Sequence, residues 1–445
     1  EREFFDAVMP EIAASVSAAT RRRLIARLGQ SHPEVYERYI RVKDAATAAL
    51  DHVRTSGDFP LTGKGDINTY ALFAELASRI VAPTGRVGLL TPSGIATDMT
   101  TKEFFGELTS SRSLIGLYDF ENKAPAFRDV HRSFKFSVLL FGGSKRQAET
   151  VDFVFFSRAM EDLRDSRRHI TLSAADLRLL NPNTRTCPVF RSVRDAQLTK
   201  AVYRRVPILI DENRQAGGNP WGISYMLMFH QSFDAGLFAD EQRLKREGFR
   251  LHGNEWRKRK DVYLPLYEAK MIQAYDHRAA NAVTDTSKWG RQGQRIHSTS
   301  VEHQNPEYVV QPRWWIEKKE VLAKIPEHAR ARVLAFKNVT SPTNQRTMII
   351  SFVPLAGVVH SAPLLLTGPC ITVRATCCLM ANLNSLVWDY VCRQKIGGVN
   401  LSYYIINQIP TLGPDFYSQH CPWDSRRTLE RWVSDRVLKL TCTSH

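Results

Sequence analysis

The spacing of apolar residues predicts alternating helices and strands in the first third of the chain. Residues 4–28 and 36–55 repeat apolar positions every three or four residues, as helices do. The stretch "TYALFAELASRIVA" is a third helix, which Asn68 is placed to cap and which Pro83 ends. The strands "RVGLLTP", "LIGLYDF" and "FKFSVLLFGG" follow, with a helix near "TKEFFGELTSS". This order favours half of an open α/β sheet whose last two strands form a hairpin at one edge.

The pattern changes twice further along the chain. Residues 151–265 mix short strands and helices and close on the basic cluster "EWRKRKD". From "YLPLYEAKMIQAYDHRAA" onward a second domain begins, with the strand-like "RTMIISFVPLAG" and the helix "CCLMANLNSLVWDYVCRQ". We therefore divide the chain into a helical segment (1–60), a sheet region (61–150), a connector (151–265) and a second mixed α/β domain (266–445).

Basic residues are concentrated after residue 150. The chain has 61 Lys and Arg against 45 Asp and Glu, a formal net charge of +16. Residues 1–150 hold 20 and 18 of these, so residues 151–445 hold 41 and 27 and carry +14. Such an excess predicts a polyanionic partner, above all double-stranded DNA, although a basic and merely solvated surface has the same composition.

Composition also narrows the cellular setting. The seven cysteines form no CxxC pair, which fits a reducing cytoplasm and gives no zinc signature. No apolar run reaches about 18 residues, and the first residues, "EREFFDAVMP", lack the basic start and apolar core of a signal peptide. We expect a cytoplasmic protein with no membrane contact.

The stretch "TPSGI" around Ser93 raises two catalytic hypotheses. A hydrolase nucleophile requires Gly-x-Ser-x-Gly, whereas Thr and Pro precede this serine. A phosphate-binding loop requires GxxxxGK[ST], which is also absent. We therefore interpret Ser93 as a turn residue at the end of a strand.

Two polar segments are candidates for contact with nucleic acid. The run "WRKRK" places four cations after an indole, a combination that suits phosphate and base contact, although most such runs are only solvated. The segment "FKNVTSPTNQRT" is rich in side chains that bind base edges and phosphates, although a polar loop before a strand has the same composition. The predicted DNA-binding residues are Arg257, Lys258, Arg259, Lys260, Asn338, Thr340, Asn344, Gln345 and Arg346.

Two further motifs admit a catalytic interpretation. "YEAK" is half of a metal-dependent nuclease pattern, and its missing carboxylate would have to come from Asp234, Asp240 or Asp261. A buried Glu268–Lys270 pair is the plainer account. His277 is a candidate base, but a hydrogen-bonded cluster with its neighbours Asp276 and Arg278 explains the sequence equally well.

Several stretches, in this order along nearly the whole chain, carry a family resemblance. They are "GDINTYALFAELASRIVAPTGRVGLLTPSGIATDMTTKEFF", "LIGLYDFENKAPAFRDVHRSFKFSVLLFGG", "YLPLYEAKMIQAYDHRAA", "KNVTSPTNQRTMIISFVP" and "LNSLVWDYVCRQKIGGVNLSYYIINQIP". The chain resembles the adenine-specific DNA methyltransferases of restriction–modification and phage-defence systems, in which one large polypeptide carries methyltransferase and target-recognition regions. The resemblance implies the C-terminal half of a Rossmann-like methyltransferase sheet, followed by a mixed α/β target-recognition domain. It also implies a prokaryotic source and a cytoplasmic location.

The resemblance implies a reaction for which this chain lacks two parts. The family transfers methyl from S-adenosylmethionine to adenine N6, and holds the cofactor with a glycine-rich turn and the target amine with an Asn-Pro-Pro-aromatic loop. Neither motif is present, since "NPNT" (181–184) and "NPW" (219–221) lack the second proline and follow the sheet. We expect Glu1 to lie just past the catalytic loop, and an N-terminal catalytic or nuclease region of the same protein to supply the cofactor site.

One active-site element is expected to remain. The family places an aromatic residue in the loop before the last hairpin strand, where it stacks on an adenine extruded from the duplex. By motif order this residue is Phe127, with Phe134 as second choice. A non-catalytic DNA-binding module is the alternative function. Either way, a sheet interrupted at its middle strands leaves an open edge and apolar surface, which predicts poor solubility.

Overall fold

A computed structural model describes residues 1–15, 18–123, 126–132, 134–283, 295–330, 333–396 and 399–442. Within these ranges the protein is a mixed α/β structure, as its pattern predicts. The helices are α1 (Arg2–Val8), α2 (Pro10–Ala13), α3 (Ala18–Ser31), α4 (Pro33–Thr55), α5 (Thr69–Ile80), α6 (Gly94–Thr97), α7 (Lys102–Ser110), α8 (Ala174–Leu180), α9 (Val193–Arg205), α10 (Glu241–Arg246), α11 (Ser300–Gln304), α12 (Lys318–Lys324), α13 (Val373–Leu383), α14 (Leu386–Arg393), α15 (Tyr403–Asn407) and α16 (Leu429–Thr441).

The strands form several sheets. They are β1 (Arg86–Pro92), β2 (Leu114–Glu121), β3 (Lys135–Gly142), β4 (Thr150–Ser157), β5 (Ile170–Ser173), β6 (Ser224–Met226), β7 (Phe238–Ala239), β8 (Arg250–His252), β9 (Glu255–Lys258), β10 (Asp261–Tyr267), β11 (Ala280–Ala282), β12 (Arg295–His297), β13 (Trp315–Glu317), β14 (Leu334–Phe336), β15 (Ile350–Phe352), β16 (Gly357–Val358), β17 (Leu364–Leu366), β18 (His420–Cys421) and β19 (Asp424–Thr428).

The first sheet has the strand order β1-β3-β2-β4-β5. Strand β3 runs antiparallel to both β1 and β2, while β2 and β4 are parallel. Strands β1, β2 and β4 therefore point the same way, and their carboxyl ends lie along one edge, which we call the carboxyl edge. Most open α/β sheets bind their ligands at such an edge.

The last two predicted strands do form an antiparallel hairpin, β2 with β3, but the prediction that it lies at one edge of the sheet is wrong. Strand β3 lies between β1 and β2, and β1 and β5 are the outer strands. Its alternate residues Leu139 and Phe141 are fully buried, as an interior strand requires. The connection from β1 through α6 and α7 leaves one strand position open between β1 and β2, and β3 fills it.

Two predicted helices are interrupted. The helix predicted over residues 4–28 breaks at Met9 and Pro10, and its positions 16–17 lie outside the described residues. The helix predicted over 377–394 is two helices, because the Ser385 hydroxyl accepts a hydrogen bond from the backbone N–H of Trp388 and starts α14. No helix in the described ranges is long and apolar enough to cross a membrane.

The apolar cores do not follow the predicted boundaries at residues 150 and 265. Strands β4 and β5 belong to the first sheet, and its core continues into helices α13–α16 near the end of the chain. The four-stranded sheet β15-β14-β17-β6 lies between this core and a second one. In β14, Leu334 and Phe336 face the first core while Ala335 faces the second. Alternation along one strand thus joins the two regions.

Helices α1–α4 form a separate small core. Phe5, Ile12, Ile25, Leu28 and Tyr39 pack together there, apart from the other clusters. These four helices lie within the segment predicted over residues 1–60.

Strand β1 leaves an open, partly apolar edge in the described structure. It pairs only with β3, and Leu90 is 63% exposed. On the neighbouring helix α5, Phe73 and Ile80 are 66% and 73% exposed. The uncovered surface that the sequence predicts for an interrupted sheet is therefore present at β1.

Candidate functional site

The carboxyl edge of the first sheet begins with a serine–aspartate pair. Ser93 lies in the turn between β1 and α6, and its hydroxyl donates to the carboxylate of Asp119 in β2. Burial raises the pKa of Asp119, while Lys135, Ser93 and the Phe156 N–H favour its charged form. Within the described ranges no histidine forms a hydrogen bond with the Ser93 hydroxyl. The contact with Asp119 therefore anchors the turn.

Asn122 organises the loop that follows β2. Its side chain is buried, its amide group donates to the carbonyls of Phe127 and Val130 at 2.9 Å each, and its carbonyl accepts from the Phe127 N–H at 3.2 Å. Three hydrogen bonds from one side chain fix the described part of this loop at the carboxyl edge.

Both aromatic candidates lie on this loop and reach solvent. Phe127 is 42% exposed, and its ring meets Phe136 edge-on with centroids 5.0 Å apart. Phe136 in turn stacks on Phe120 at 5.2 Å. Phe134 is 62% exposed at the start of β3. The structure thus brings Phe127 and Phe134 to one edge of the sheet, and Phe127 is packed against the ring of Phe136.

A cleft of about 460 Å³ opens beside this edge. Its wall includes Glu121, whose carboxylate lies 3.0 Å from Lys123 and 3.1 Å from Arg158. Burial alone would raise the pKa of Glu121, but these two cations lower it overall. Arg191 lies over the Phe156 ring at 4.5 Å. The cleft therefore combines cations with aromatic surface, and we call it the edge cleft.

A second cavity, of about 620 Å³, joins the "YEAK" motif to the predicted base-reading segment. We call it the cationic pocket; its lining includes Glu268, Lys270, Arg295, Lys337, Thr340, Asn344, Gln345 and Arg346. Sequence reasoning treated the two motifs separately. The fold brings them together because β10 ends at Tyr267 beside β16, and Ser361, which follows β16, accepts hydrogen bonds from the backbone N–H groups of Ala269 and Asn338.

Lys337 is the most enclosed cation of the cationic pocket. It follows β14 directly, is 8% exposed, and its backbone N–H donates to the Ile349 carbonyl. Burial, and then the charge of Arg295, lower the pKa of Lys337 to about 8. Among the described residues, no acceptor forms a hydrogen bond or ion pair with its ammonium group.

The other predicted residues of this segment differ in availability. Thr340 is buried, and its hydroxyl donates to the Thr347 carbonyl at 2.8 Å, so its role is structural. Asn344 and Gln345 are exposed. The side-chain oxygen of Asn338 and one terminal nitrogen of Arg346 are enclosed and without a hydrogen-bond partner in the described ranges.

The two cavities are neighbours across one loop. Thr343 lines the edge cleft, and the next residue, Asn344, lines the cationic pocket. The Arg393 guanidinium holds this loop through the carbonyls of Pro342 and Gln345 at 2.9 and 2.7 Å. A ligand that extends past this loop can therefore contact both cavities.

The predicted cations 257–260 lie elsewhere. All four are exposed, in β9 and in the turn before β10. Arg257 pairs with Glu255 at 2.6 Å, and Lys258 donates to the Glu247 carbonyl at 2.6 Å. Arg259 and Lys260 lie in the turn, and their side chains form neither an ion pair nor a hydrogen bond within the described residues. Since "YEAK" follows the other end of β10, about 23 Å of strand separates the two groups.

Both Asn-Pro segments have structural roles. The Asn181 amide donates to the Thr186 carbonyl and accepts from buried Lys395, each at 2.6 Å. Asn219 bonds both backbone groups of Ile223, next to the fully buried Trp221. Neither amide is free to hold a substrate.

The remaining catalytic candidates are engaged in local contacts. Glu268 pairs with Lys270 at 3.0 Å, as the plainer account holds. Asp276 pairs with His303 at 3.0 Å, and buried Arg278 donates to three backbone carbonyls. Burial lowers the pKa of His277. A search of the described residues found no group of three or more His, Cys, Asp or Glu side chains able to hold a metal ion.

Sequence reasoning missed Asn122 and Arg295, and did not single out Lys337. Asn122 carried a usable signal, since an asparagine directly after a strand commonly bonds its own loop. Lys337 lies inside the segment over residues 336–347 that was predicted to contact DNA, but at the end of an apolar run it resembles a solvated strand terminus. Arg295 joins the pocket only through the fold.

No protein-family model and no curated protein matches the sequence. Solved structures with a similar course of the chain include the type IIG restriction endonuclease BpuSI, at 12% identity and a TM-score of 0.28, covering 88% of this chain and 47% of that chain. The type IIL restriction-modification enzyme MmeI, solved in complex with DNA, is 9% identical with a TM-score of 0.35, and the match covers 85% of this chain and 48% of that chain. The ATP-dependent type ISP restriction-modification enzyme LlaBIII, bound to DNA, is 10% identical with a TM-score of 0.36, and the match covers 80% of this chain and 27% of that chain. This chain thus spans half or less of each, and likeness at this level assigns it to no family.

Proposed function

We propose that this chain is part of a site-specific DNA adenine-N6 methyltransferase of a restriction–modification or phage-defence system. It supplies DNA recognition and part of the pocket for the target base. The observation that carries the proposal is the pair of exposed rings, Phe127 and Phe134, at the carboxyl edge of a partly parallel sheet. The resemblance of the sequence is what assigns the stacking role to these two residues, and their exposure at this edge supports it.

The chemistry of base extrusion explains why these rings matter. A base taken out of the duplex loses its stacking neighbours, and an aromatic face replaces part of that energy. Base–aromatic stacking contributes about 1–3 kcal/mol per base. Phe127 is held in place by Asn122 below and Phe136 beside it, so little freedom is lost when an adenine stacks on it.

The residues at this edge do not fit S-adenosylmethionine. The turn after β1 has a single glycine, Gly94, and a Cβ built there would lie 2.2 Å from the Asp98 carboxylate. The space beside Gly94 is therefore filled by the chain itself and leaves no cradle for a cofactor. In the proposal, a further part of the complete protein holds the cofactor and the target amine.

The open edge of β1 offers a place for that part. An unpaired strand edge beside the exposed apolar side chains of Phe73 and Ile80 is surface of the kind that proteins normally cover. A further catalytic or nuclease region that pairs with β1 would extend the sheet.

The test uses duplex DNA in which one adenine faces an abasic site, since that adenine costs less to extrude. We expect the chain to bind this duplex about fivefold or more tightly than the matched duplex, because stacking of about 1 kcal/mol or more is gained. Phe127→Ala should remove this preference and leave binding of the matched duplex unchanged. Fluorescence anisotropy gives both affinities.

Phe233→Ala is the matched control, since Phe233 is 86% exposed and lies outside both cavities. It should keep the preference for the abasic duplex. Loss of the preference in Phe134→Ala alone would assign the stacking role to the second ring. Equal binding of both duplexes by the wild-type chain would contradict the target-base role.

A non-catalytic DNA-binding module is the second candidate, and the filled space at Gly94 favours it. Calorimetric titration of S-adenosylmethionine into the chain is informative only if the cofactor binds. Cofactor binding would contradict both the module and our assignment of the cofactor site to another part of the protein. DNA binding without cofactor binding agrees with either.

A further inference from the structure

We propose that the cationic pocket binds one backbone phosphate of the DNA, with Lys337 as its central charge. The inference rests on the proposed function, since it names the chemical group that this second cavity holds. It assigns a binding role to Lys270 and Arg295, which lie outside the segments predicted to bind DNA. It also assigns one to Lys337, which lies inside the segment over residues 336–347 but was not among the residues predicted there.

The charge of the pocket favours an anion. Its lining carries the four cations Lys270, Arg295, Lys337 and Arg346 against the single carboxylate Glu268. That carboxylate is already engaged, by Lys270 at 3.0 Å and by the Gln231 amide at 3.4 Å. The remaining charge is unbalanced within the described lining.

Lys337 supplies the second, independent observation. It is more than nine-tenths buried, it lines the pocket, and the described residues give its ammonium group no acceptor. Enclosing most of a lysine side chain removes part of the hydration of its ammonium group, which costs free energy. An anion entering from the pocket provides the missing acceptor.

The balance of donors and acceptors distinguishes a phosphate from a base. A base edge needs acceptors as well as donors, whereas phosphate oxygens only accept. The Thr340 hydroxyl is committed to the Thr347 carbonyl, and Glu268 is committed as described above. The amide side chains of Asn344 and Gln345 offer acceptors as well as donors, but the four cations of the lining add donors alone, so donors outnumber acceptors. Its volume of about 620 Å³ exceeds a single phosphate and admits a passing strand.

The neighbouring edge cleft gives the phosphate site a geometric role. Thr343 and Asn344 face the two cavities from one loop. A strand whose phosphate is held in the cationic pocket is thereby positioned beside the edge cleft, which opens at the carboxyl edge of the first sheet. Phosphate contacts commonly fix register in this way and leave sequence reading to other groups.

The site predicts a pH dependence that surface lysines do not give. Because the pKa of Lys337 in the free protein is about 8, about one in eleven molecules carries this charge at pH 9. A bound phosphate restores the proton, so affinity falls as pH rises above 8. The other charged groups that line the pocket with Lys337 are Lys270, Arg295, Arg346 and Glu268.

The experiment measures the affinity for matched duplex DNA at pH 7 and pH 9, at fixed ionic strength. For the wild-type chain we expect affinity to fall about tenfold over this interval, from the loss of one protonated site with a pKa of about 8. Lys337→Arg should bind equally at both pH values, because a guanidinium does not titrate there. Lys337→Met should bind weakly at both, with the slope of log K against log salt reduced by about one.

The outcomes separate the two proposals. Lys260→Met, at an exposed position in the turn before β10, is the control and should keep the wild-type pH profile. If the wild-type chain binds DNA but Lys337→Arg retains the full pH dependence, the pocket is not the phosphate site while DNA binding stands. If the wild-type chain shows no salt-dependent DNA binding, both proposals fail. Displacement of the DNA by inorganic phosphate at matched ionic strength, dependent on Lys337, would assign the pocket to a free anion instead.

Discussion

At the scale of single residues, Lys337 carries a cost in the free protein. Its folded-state pKa of about 8 is below the ordinary value of 10.5, so the unfolded chain binds more protons between these pH values. The free energy of unfolding therefore rises with pH across that window, and the full penalty is present at pH 7. Binding sites commonly retain such destabilising groups.

Lys337→Met should accordingly stabilise the free protein at pH 7 by about 1–3 kcal/mol, since it removes a buried charge. The gain should be smaller at pH 9.5, where most of the wild-type side chains are already neutral. Urea unfolding at both pH values measures it. Lys260→Met, at an exposed position, should change stability by less than about 0.5 kcal/mol. A gain of equal size at both pH values would contradict the assigned pKa.

The residue scale also shows where sequence reasoning ends. Phe127 and Arg346 were predicted from motif order and residue type; the fold exposes Phe127 at the carboxyl edge and places Arg346 in the cationic pocket. Thr340 was predicted on the same grounds and is buried with its hydroxyl satisfied. Composition alone does not tell a ligand-facing hydroxyl from one that closes its own loop.

At the scale of elements, the loop after β2 depends on Asn122. Asn122→Ala removes three hydrogen bonds, two of them to the backbone of Phe127. We expect a loss of about 1–3 kcal/mol in unfolding free energy and loss of the preference for adenine opposite an abasic site, with matched-duplex binding retained.

Anisotropy with the two duplexes measures this effect, and Asn213→Ala is the control. Asn213 is an exposed asparagine whose contacts lie in another loop. A full preference in Asn122→Ala would mean that the loop holds Phe127 without this side chain.

Strand β1 gives a second prediction at this scale. Leu90→Lys places a charge on an open strand edge and should reduce self-association, as charged edge residues do in natural sheets. Light scattering at increasing protein concentration measures it. Met160→Lys, equally exposed but outside any strand, is the control. Equal improvement in both variants would attribute the effect to net charge alone.

Elements of strong periodicity were predictable, and their arrangement was not. Strand β1 begins and ends where the pattern predicts, and α5 lies within two residues of its predicted end. The interior position of β3 was missed, because strand order depends on which edges meet after folding. The cationic pocket was missed for the same reason, since residues 268–270 and 337–346 meet only through β10, β14 and β16.

At the scale of the whole molecule, the apolar cores connect the first sheet with the part of the chain that carries the excess positive charge. The first core returns to α13–α16 after the chain has built the second, so the sheet with the two rings and the loop over residues 338–347 belong to a connected body. The excess positive charge after residue 150 lies in the part that forms the cationic pocket. The central claim is that one DNA ligand contacts both cavities.

Hydrogen exchange of the chain, with and without saturating duplex DNA carrying an adenine opposite an abasic site, tests this claim most directly. We predict slowed exchange of backbone amides in residues 126–132 and in residues 338–347 together, and little change in helices α1–α4. Protection confined to residues 250–260, or unchanged exchange in both loops at saturation, would contradict the account.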